Sequence, residues 1–381
     1  MPPKKKEDEA ESLSREEKLE QLFDVARKKY GKEAVVYARD FKFKETPRIS
    51  TGIFPLDYAL GGGVPVGRIT MFFGNKSSSK TTCILRTIGN AQRLCSACWT
   101  TIRTIPPKKE GEHPGLSCQC GEKRKTVIAW LDVEGVWDDT WARRFCNVDD
   151  IILSQPDTAE QTIDLADTYL RSGAVDIIVI DSIAFMTAMA EIERSAAEVV
   201  VGTQARLVGV QMRKFVSGIN QIASQEGRRP TIIFTNQIRM RVGLVFGNPE
   251  TIPGGLAQGF ATSCEIHCYG GKYTMDDVSG KPISAEFRCK VEKNKTGPAK
   301  MEAEYKMVLS KTEVKDIGEV IDEGWAIQMG ENAGLVESSG TMVTWKGERF
   351  RGRSQLEKYW ALNKDKYDDF KNELMPLLLS L

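Results

Sequence analysis

Residues 72–82 read Phe-Phe-Gly-Asn-Lys-Ser-Ser-Ser-Lys-Thr-Thr. The apolar run Ile69–Phe73 is long enough for a buried strand, Gly74 breaks it, and Lys80-Thr81-Thr82 opens a helix. Strand, tight loop, Lys-Thr and helix together make a P-loop, whose backbone N–H groups and helix N-terminus form an anion site. The candidate phosphate cradle is Gly74, Asn75, Lys76, Ser77, Ser78, Ser79, Lys80, Thr81 and Thr82. In such a loop Lys80 reaches the β- and γ-phosphates and the Thr81 hydroxyl holds Mg²⁺. The motif is G-x-x-x-x-G-K-[ST], and Ser79 stands where its second glycine belongs. A Cβ there resists the backbone angles and close phosphate approach that glycine permits. Taken alone, the stretch leaves nucleotide binding and an ordinary strand–turn–helix both open.

The chain has 381 residues, enough for a large core and two or three domains. Basic and acidic residues nearly balance, 53 against 52, for a net charge of +1. Any affinity for nucleic acid must therefore come from local basic patches. No apolar run approaches the roughly 20 residues of a membrane span, and Met1–Ser12 has no apolar segment of the signal-peptide kind. The expectation is a soluble, cytoplasmic protein. Nine cysteines, five of them scattered singly, suggest reduced thiols, with any clustered ones fitted to metal rather than to disulfides.

Outward from the P-loop, strands alternate with helical segments. Thr126–Asp132 and Val175–Ser182 are apolar strands that run into acids, and Ile151–Ser154 and Thr231–Gln237 are apolar too. Continuous apolar strands separated by helices predict an α/β fold with a mainly parallel sheet covered on both faces. An acid at a strand's carboxyl end beside a P-loop is where the second Mg²⁺ contact belongs, which nominates Asp181. Asp132-Val133-Glu134 ends the neighbouring strand, and a carboxylate there can orient or deprotonate a water attacking the γ-phosphate. Residues 1–13 are highly charged and read as a disordered tail. Ser14 is an N-cap for a helix through Tyr30, in which Leu19, Leu22, Phe23 and Ala26 repeat at helical spacing. That stripe packs on its own domain or on a neighbouring subunit, and periodicity alone favours the former.

The run Ile49-Ser-Thr-Gly-Ile-Phe-Pro-Leu-Asp-Tyr-Ala-Leu-Gly-Gly-Gly-Val-Pro-Val-Gly-Arg-Ile69 leads directly into the P-loop. Together with Asn236-Gln237-Ile-Arg-Met and the Gly254-Gly255 pair farther on, it resembles the RecA-type recombinases. The resemblance implies a RecA-like ATPase core over 49–310, preceded by a helix and linker for oligomerisation over 14–48. A small C-terminal α+β domain over 311–381 follows. It implies that Glu134 activates the water, that Asp138 and Trp141 contact adenine, and that Gln237 senses the γ-phosphate. Gly202, Arg206 and Arg213 fall at the family's first DNA contact. The long loop 238–260, with Arg239, Arg241, Gly254 and Gly255, corresponds to the second. Lys293 and Lys295 would reach ATP bound to an adjoining subunit, and the helix ending at Tyr30 would then dock on that neighbour. The implied activity is a DNA-dependent ATPase that forms ATP-bound filaments on single-stranded DNA and pairs it with homologous duplex. Two rivals remain: a RecA-fold ring helicase or repair ATPase, and an ATP-independent DNA-binding filament protein whose P-loop Ser79 has inactivated.

One stretch, 91–126, falls outside the resemblance. It holds Cys95-Ser-Ala-Cys98 and Cys118-Gln-Cys120 with 19 residues between the pairs, and seven Lys/Arg against three Asp/Glu. Cys-x₂-Cys with Cys-x-Cys suits a closed tetrahedral Zn²⁺ site, with His113 as a substitute ligand and free thiols as the alternative. The basic cluster Lys123-Arg124-Lys125 either faces DNA or is a solvated surface.

Overall fold

Three of the apolar strands of the sequence are buried along their whole length, while Ile151–Ser154, at the sheet's edge, leaves Ile152 and Leu153 exposed. Ile69–Gly74, Ile128–Asp132 and Ile177–Asp181 have no exposed position. In a computed structural model describing residues 14–31, 35–37, 46–105, 115–118, 120–122, 124–192, 202–240 and 250–380, these strands share one large sheet. The tail 1–13, His113, Lys123 and Arg241 lie outside the described residues.

Across the sheet the order is Val320–Ile321, Glu302–Val308, Pro282–Asn294, Cys264–Met275, Ile69–Gly74, Thr231–Gln237, Ile177–Asp181, Ile128–Asp132 and Ile151–Ser154. From Cys264–Met275 to Ile151–Ser154 every pairing is parallel. The three strands on the other side add an antiparallel extension. The parallel part is thus as the sequence leads one to expect. In the extension, Glu302–Val308 alternates between outward and inward positions along most of its length.

Because strand side chains alternate, each strand feeds two cores. On one face Phe72, Trp130, Val179 and Ile233 meet Ile84, Leu85 and Ile88 of the helix Lys80–Ala91. On the other, Met71, Leu131, Ile180 and Phe234 meet the helices Ala159–Arg171 and Thr203–Glu226 through Ile163, Met212 and Phe215. The P-loop strand lies in the middle, with its carboxyl end at Gly74. The carboxyl ends of its three parallel neighbours toward Ile128–Asp132 lie level with it. This is the edge where open α/β sheets gather ligands.

Val320–Ile321 still belongs to the core sheet. Beyond it a separate α+β unit forms from the helices Glu323–Asn332, Arg353–Leu362 and Lys364–Ser380 and a three-stranded antiparallel sheet over Val336–Arg351. Its centre is aromatic: Trp360 stacks on Phe370 at 4.4 Å and meets Trp345 edge-on at 5.4 Å. Asp322 ties it to the core by accepting from the Phe54 amide at 3.0 Å and from the Tyr367 hydroxyl at 2.8 Å.

The N-terminal helix Arg15–Tyr30 meets one expectation and leaves the cover of its stripe open. Its capping box forms as the sequence suggests, with the Glu17 amide donating to Ser14 Oγ at 3.2 Å and the Ser14 amide to Glu17 Oε2 at 2.7 Å. Yet none of its residues is buried, and Leu22 and Val25 are 57% and 66% exposed. Among the described residues the apolar stripe is therefore covered only in part: Leu19, Phe23 and Ala26 are half-buried, Phe23 edge-on to Tyr37 at 5.0 Å, and Leu22 lies open. Helical spacing reports which residues share a face, and carries no information on which molecule covers it.

In monomeric protein, Phe215→Ala should lower unfolding free energy by about 3–5 kcal/mol through the cavity it opens. Leu22→Ala should stay within about 0.5 kcal/mol of wild type. Urea denaturation of the two variants checks both; an equal loss would mean that the helix is docked on its own core.

Candidate nucleotide and DNA site

The P-loop departs from strand geometry at Gly74. A Cβ built there would stand 2.0 Å from the Cys268 carbonyl oxygen, so only glycine lets these two strands come together. Ser77 and Ser79 both have positive φ, 58° and 61°. An L-residue in that left-handed region costs roughly 1–2 kcal/mol, which is why glycine is common at the position of Ser79. Here the Ser79 side chain has a partner: its Oγ lies 2.5 Å from the Tyr305 hydroxyl. The loop is thus closed in the P-loop shape in spite of the substitution. Ser78 is buried and donates to the Asn75 carbonyl at 2.8 Å.

Lys80 Nζ donates to the carbonyls of Asn75 at 2.7 Å and Gly74 at 3.2 Å. Burial lowers its basicity, and the nearby Cys268, Asp181 and Glu134 partly restore it. A cation held half-desolvated against neutral carbonyls is poised for an anionic partner. At the next residue, Thr81 Oγ1 donates to Asp181 Oδ2 at 2.8 Å, and Thr235 Oγ1 donates to Asp181 Oδ1 at 2.5 Å. Burial raises the Asp181 carboxyl despite both hydroxyls. A hydroxyl and a carboxylate side by side at the end of a phosphate cradle are a fitting oxygen set for Mg²⁺, which keeps several waters and phosphate oxygens as its remaining ligands.

Asp132 and Glu134, close in sequence, have separate surroundings. Asp132 is buried and accepts from the amides of Gly135, Val136 and Trp137 at 3.0, 3.2 and 3.0 Å, and from Gln155 at 2.9 Å. It shapes the turn. Glu134 is left with its side chain toward the crevice, and burial, then the charge of Asp181, lifts its carboxyl above the ordinary range. That is the property a general base near neutrality needs. Asp138 caps the short helix Asp139–Ala142 by accepting from the Trp141 amide at 3.0 Å. Trp141 in turn donates from Nε1 to Thr82 Oγ1 at 3.2 Å, which sets its ring against the P-loop helix.

Gln237 is the register partner of Gly74 across the parallel pair. Strand Thr231–Gln237 therefore carries the crevice directly into the loop that starts at Ile238. The loop leaves as a short antiparallel stem, with Arg239 opposite Thr251 and Met240 opposite Glu250. It returns through Gly254 and Gly255, whose φ values are 91° and 73°. Cβ atoms built on them would meet Val208 at 3.2 Å and Ala205 at 3.3 Å, so the returning backbone lies against the helix Thr203–Glu226 on either side of Arg206. Gly202, with φ 85°, starts that helix, and Arg206, Arg213 and Arg239 are all exposed. The roots of two separate loops thus meet at the carboxyl edge of the sheet.

Sequence reasoning missed what fixes the second loop. Asn236 Nδ2 donates to Gln258 Oε1 at 2.8 Å and to the Pro253 carbonyl at 3.0 Å, and Gln258 Nε2 donates to the same carbonyl at 2.6 Å. Both amides are buried. Asn236 stands beside the nominated Gln237, but nothing in the sequence points to Gln258. Thr235 and Tyr305 were missed for the same reason, since each acts across the sheet.

Lys293 and Lys295 do not join this site within one chain. Asn294 pairs with Cys264, and Cys264 with Thr70, four residues before Gly74. That is about 13 Å down the strand. Lys293 donates to the Gly259 carbonyl and stands 3.7 Å from Glu265, and Lys295 donates to the Phe260 carbonyl at 3.3 Å.

The four cysteines do come together. The Sγ atoms of Cys95, Cys98, Cys118 and Cys120 all lie within 4.8 Å of one another. Zn–S bonds of about 2.3 Å give tetrahedral S···S edges of about 3.8 Å, so this spacing fits a four-thiolate site. A turn positions the first pair, the Cys98 and Trp99 amides both donating to the Cys95 carbonyl. A hairpin of Arg103–Ile105 with Gly115–Ser117 brings the second pair back. The cluster joins the strand Ile128–Asp132 at its amino end, opposite the nucleotide crevice. There Arg124 pairs with buried Asp176 at 3.4 Å, and Lys125 stands 4.0 Å from Asp150.

A model of the RecA N-terminal domain family matches residues 17–102 and 116–313, leaving out residues 103–115 between the two cysteine pairs. Among curated proteins the chain is 34% identical over 371 residues to a "Protein RecA" of Teredinibacter turnerae, covering 96% of this chain and 95% of that one. It is 36% identical over 341 residues to the "Protein RecA" of Pseudomonas putida, covering 88% and 83%. With the family matched on both sides of the hairpin and whole-length relatives on top of it, the chain belongs to the RecA family.

Proposed function

We propose that this protein is a DNA-dependent ATPase that polymerises on single-stranded DNA with ATP between subunits, then pairs that strand with homologous duplex in recombination and repair. The observation that carries the reading is the pairing of Gly74 with Gln237. One strand end touches the phosphate cradle, and the very next residues are the root of a basic loop. Membership of the RecA family supports the same activity and the same partners. A cytoplasmic site of action accords with it, and no described helix is long and apolar enough to cross a membrane.

In this mechanism Lys80 exchanges its carbonyl partners for phosphate oxygens, and the loop amides close around them. Thr81 and Asp181 would hold Mg²⁺, whose charge offsets that of the phosphate oxygens. Trp141 and Asp138 border the base. Glu134 accepts the proton of the attacking water. Gln237 donates from its amide to the γ-phosphate and passes the state of the site to the loop at 238–260, where Arg239 and Arg241 bind the DNA backbone together with Arg206 and Arg213. Gly254 and Gly255 keep the loop low against the helix. Lys293 and Lys295, unable to reach their own crevice, serve the crevice of the next subunit, and the helix Arg15–Tyr30 covers its apolar stripe on that neighbour. The four cysteines hold one structural Zn²⁺, a closed site with no open position for catalysis.

Hydrolysis with and without single-stranded DNA, on protein imaged for filaments, tests the reading. Lys80→Ala should abolish turnover. Glu134→Gln should bind ATP but hydrolyse it about 10²–10⁴ times more slowly. Because Glu134 must be ionised to act and its carboxyl is raised, kcat/KM of wild type should fall as pH drops through a value above the ordinary carboxylate range. Glu134→Gln should lack that limb. Closed rings in place of filaments would favour a ring helicase, and DNA binding indifferent to ATP a passive filament protein.

DNA affinity should fall steeply with salt, since the net charge supplies no attraction. Removing one arginine contact in Arg239→Ala should reduce the logarithmic salt slope by roughly 0.7. An unchanged slope would take Arg239 out of the interface.

Elemental analysis should find about one zinc per chain, as expected for one Cys₄ site, and none in the Cys95→Ser, Cys98→Ser double variant. Fully folded wild-type protein without metal would refute the site.

A further inference from the structure

Ser79 is the one residue of the phosphate cradle that breaks the motif, and the Tyr305 hydroxyl is its nearer side-chain partner, with Cys83 Sγ farther off at 3.8 Å. Ser79 sits at φ 61°, ψ 16° and makes no cap bond to the helix it precedes. Its Oγ is 2.5 Å from the Tyr305 hydroxyl. The same hydroxyl is 3.3 Å from Cys83 Sγ, and the Cys83 amide donates to the Ser79 carbonyl at 2.9 Å in the first turn of the helix. One phenol thus touches both ends of that turn. Tyr305 comes from the strand Glu302–Val308, three strands away from the P-loop strand. Its position is fixed, because the side chain is 4% exposed and its ring stacks on Phe287 at 5.6 Å.

We propose that Tyr305 is a positioning residue for nucleotide binding: it holds Ser79 in the left-handed conformation that the P-loop needs at this point. A serine left to itself favours right-handed or extended angles, and either would swing the Ser79–Lys80 peptide, with the Lys80 amide and side chain, out of the cradle. The hydrogen bond biases the serine toward the bound shape before ATP arrives. Burial keeps the phenol well above its ordinary titration range, so it stays a neutral hydroxyl that both donates and accepts. The inference rests on the nucleotide-binding reading above.

A double-mutant cycle tests it. ATP affinity is measured by fluorescent-nucleotide titration on wild type, Tyr305→Phe, Ser79→Gly and the double variant, with the thermal midpoint of each. Tyr305→Phe keeps the ring and should bind ATP roughly three- to tenfold more weakly, as for the loss of one hydrogen bond. In the Ser79→Gly background glycine adopts the left-handed angles unaided, so Tyr305→Phe should cause no further loss. A merely structural tyrosine would lower the thermal midpoint, but would change affinity equally in both backgrounds. Equal losses in both, or no loss in either, would overturn the inference while leaving the nucleotide reading intact. Wild-type protein that binds no ATP would overturn both.

Discussion

The structure depends on a carboxylate that water does not reach. Asp181 ends a strand in the middle of the sheet and is 4% exposed. Two hydroxyls from neighbouring elements, Thr81 of the P-loop helix and Thr235 of the adjoining strand, supply its hydrogen bonds. An ionised group so placed is costly unless its partners are fixed, and here they fix three elements against one another. The helix cannot shift along the sheet without stranding the carboxylate. The crevice is therefore formed before any ligand enters it. This is the preorganisation on which electrostatic catalysis depends.

Next to that rigid centre lies a part held by a different kind of contact. The loop after Gln237 is tied down by two buried side-chain amides, Asn236 and Gln258, converging on the Pro253 carbonyl. Amide pairs of this sort are neutral and directional, and can be exchanged for alternatives of similar energy. Asn236 Oδ1 also accepts from the Gln237 amide at 2.8 Å. A change at the γ-phosphate end of Gln237 thus has a contiguous hydrogen-bonded route to the base of the loop. Such a route is a physical candidate for coupling between nucleotide and DNA.

Much of this was legible in the sequence. The strands Ile69–Gly74, Ile177–Asp181 and Thr231–Gln237 announce themselves as unbroken apolar runs, because a strand buried on both faces has no polar side to hide the signal. Gly74 and Lys80 fall where the motif puts them, since a P-loop is a local structure whose chemistry follows from adjacent residues. The four cysteines were identifiable from spacing alone. What stayed hidden acts at a distance along the chain. Tyr305 meets Ser79 across 226 residues, and Gln258 meets Asn236 across 22. The cover for the helix Arg15–Tyr30 stayed open because an amphipathic pattern does not name its partner. The serine at position 79 looked like a defect in one dimension, and becomes a satisfied residue only when the sheet brings a phenol beneath it.

The grouping of the thiols also decides how the molecule meets reactive chemistry. Cys83, Cys146, Cys264, Cys268 and Cys289 are all buried, and the three cysteines that are not, Cys98, Cys118 and Cys120, belong to the four-sulfur cluster. Alkylating or oxidising reagents therefore find their most accessible targets at one place, the end of the sheet away from the crevice. A cation bound there would mask those sulfurs as well. The folded, metal-loaded chain would offer an almost blank background, in which a single cysteine introduced elsewhere could carry a dye or spin label.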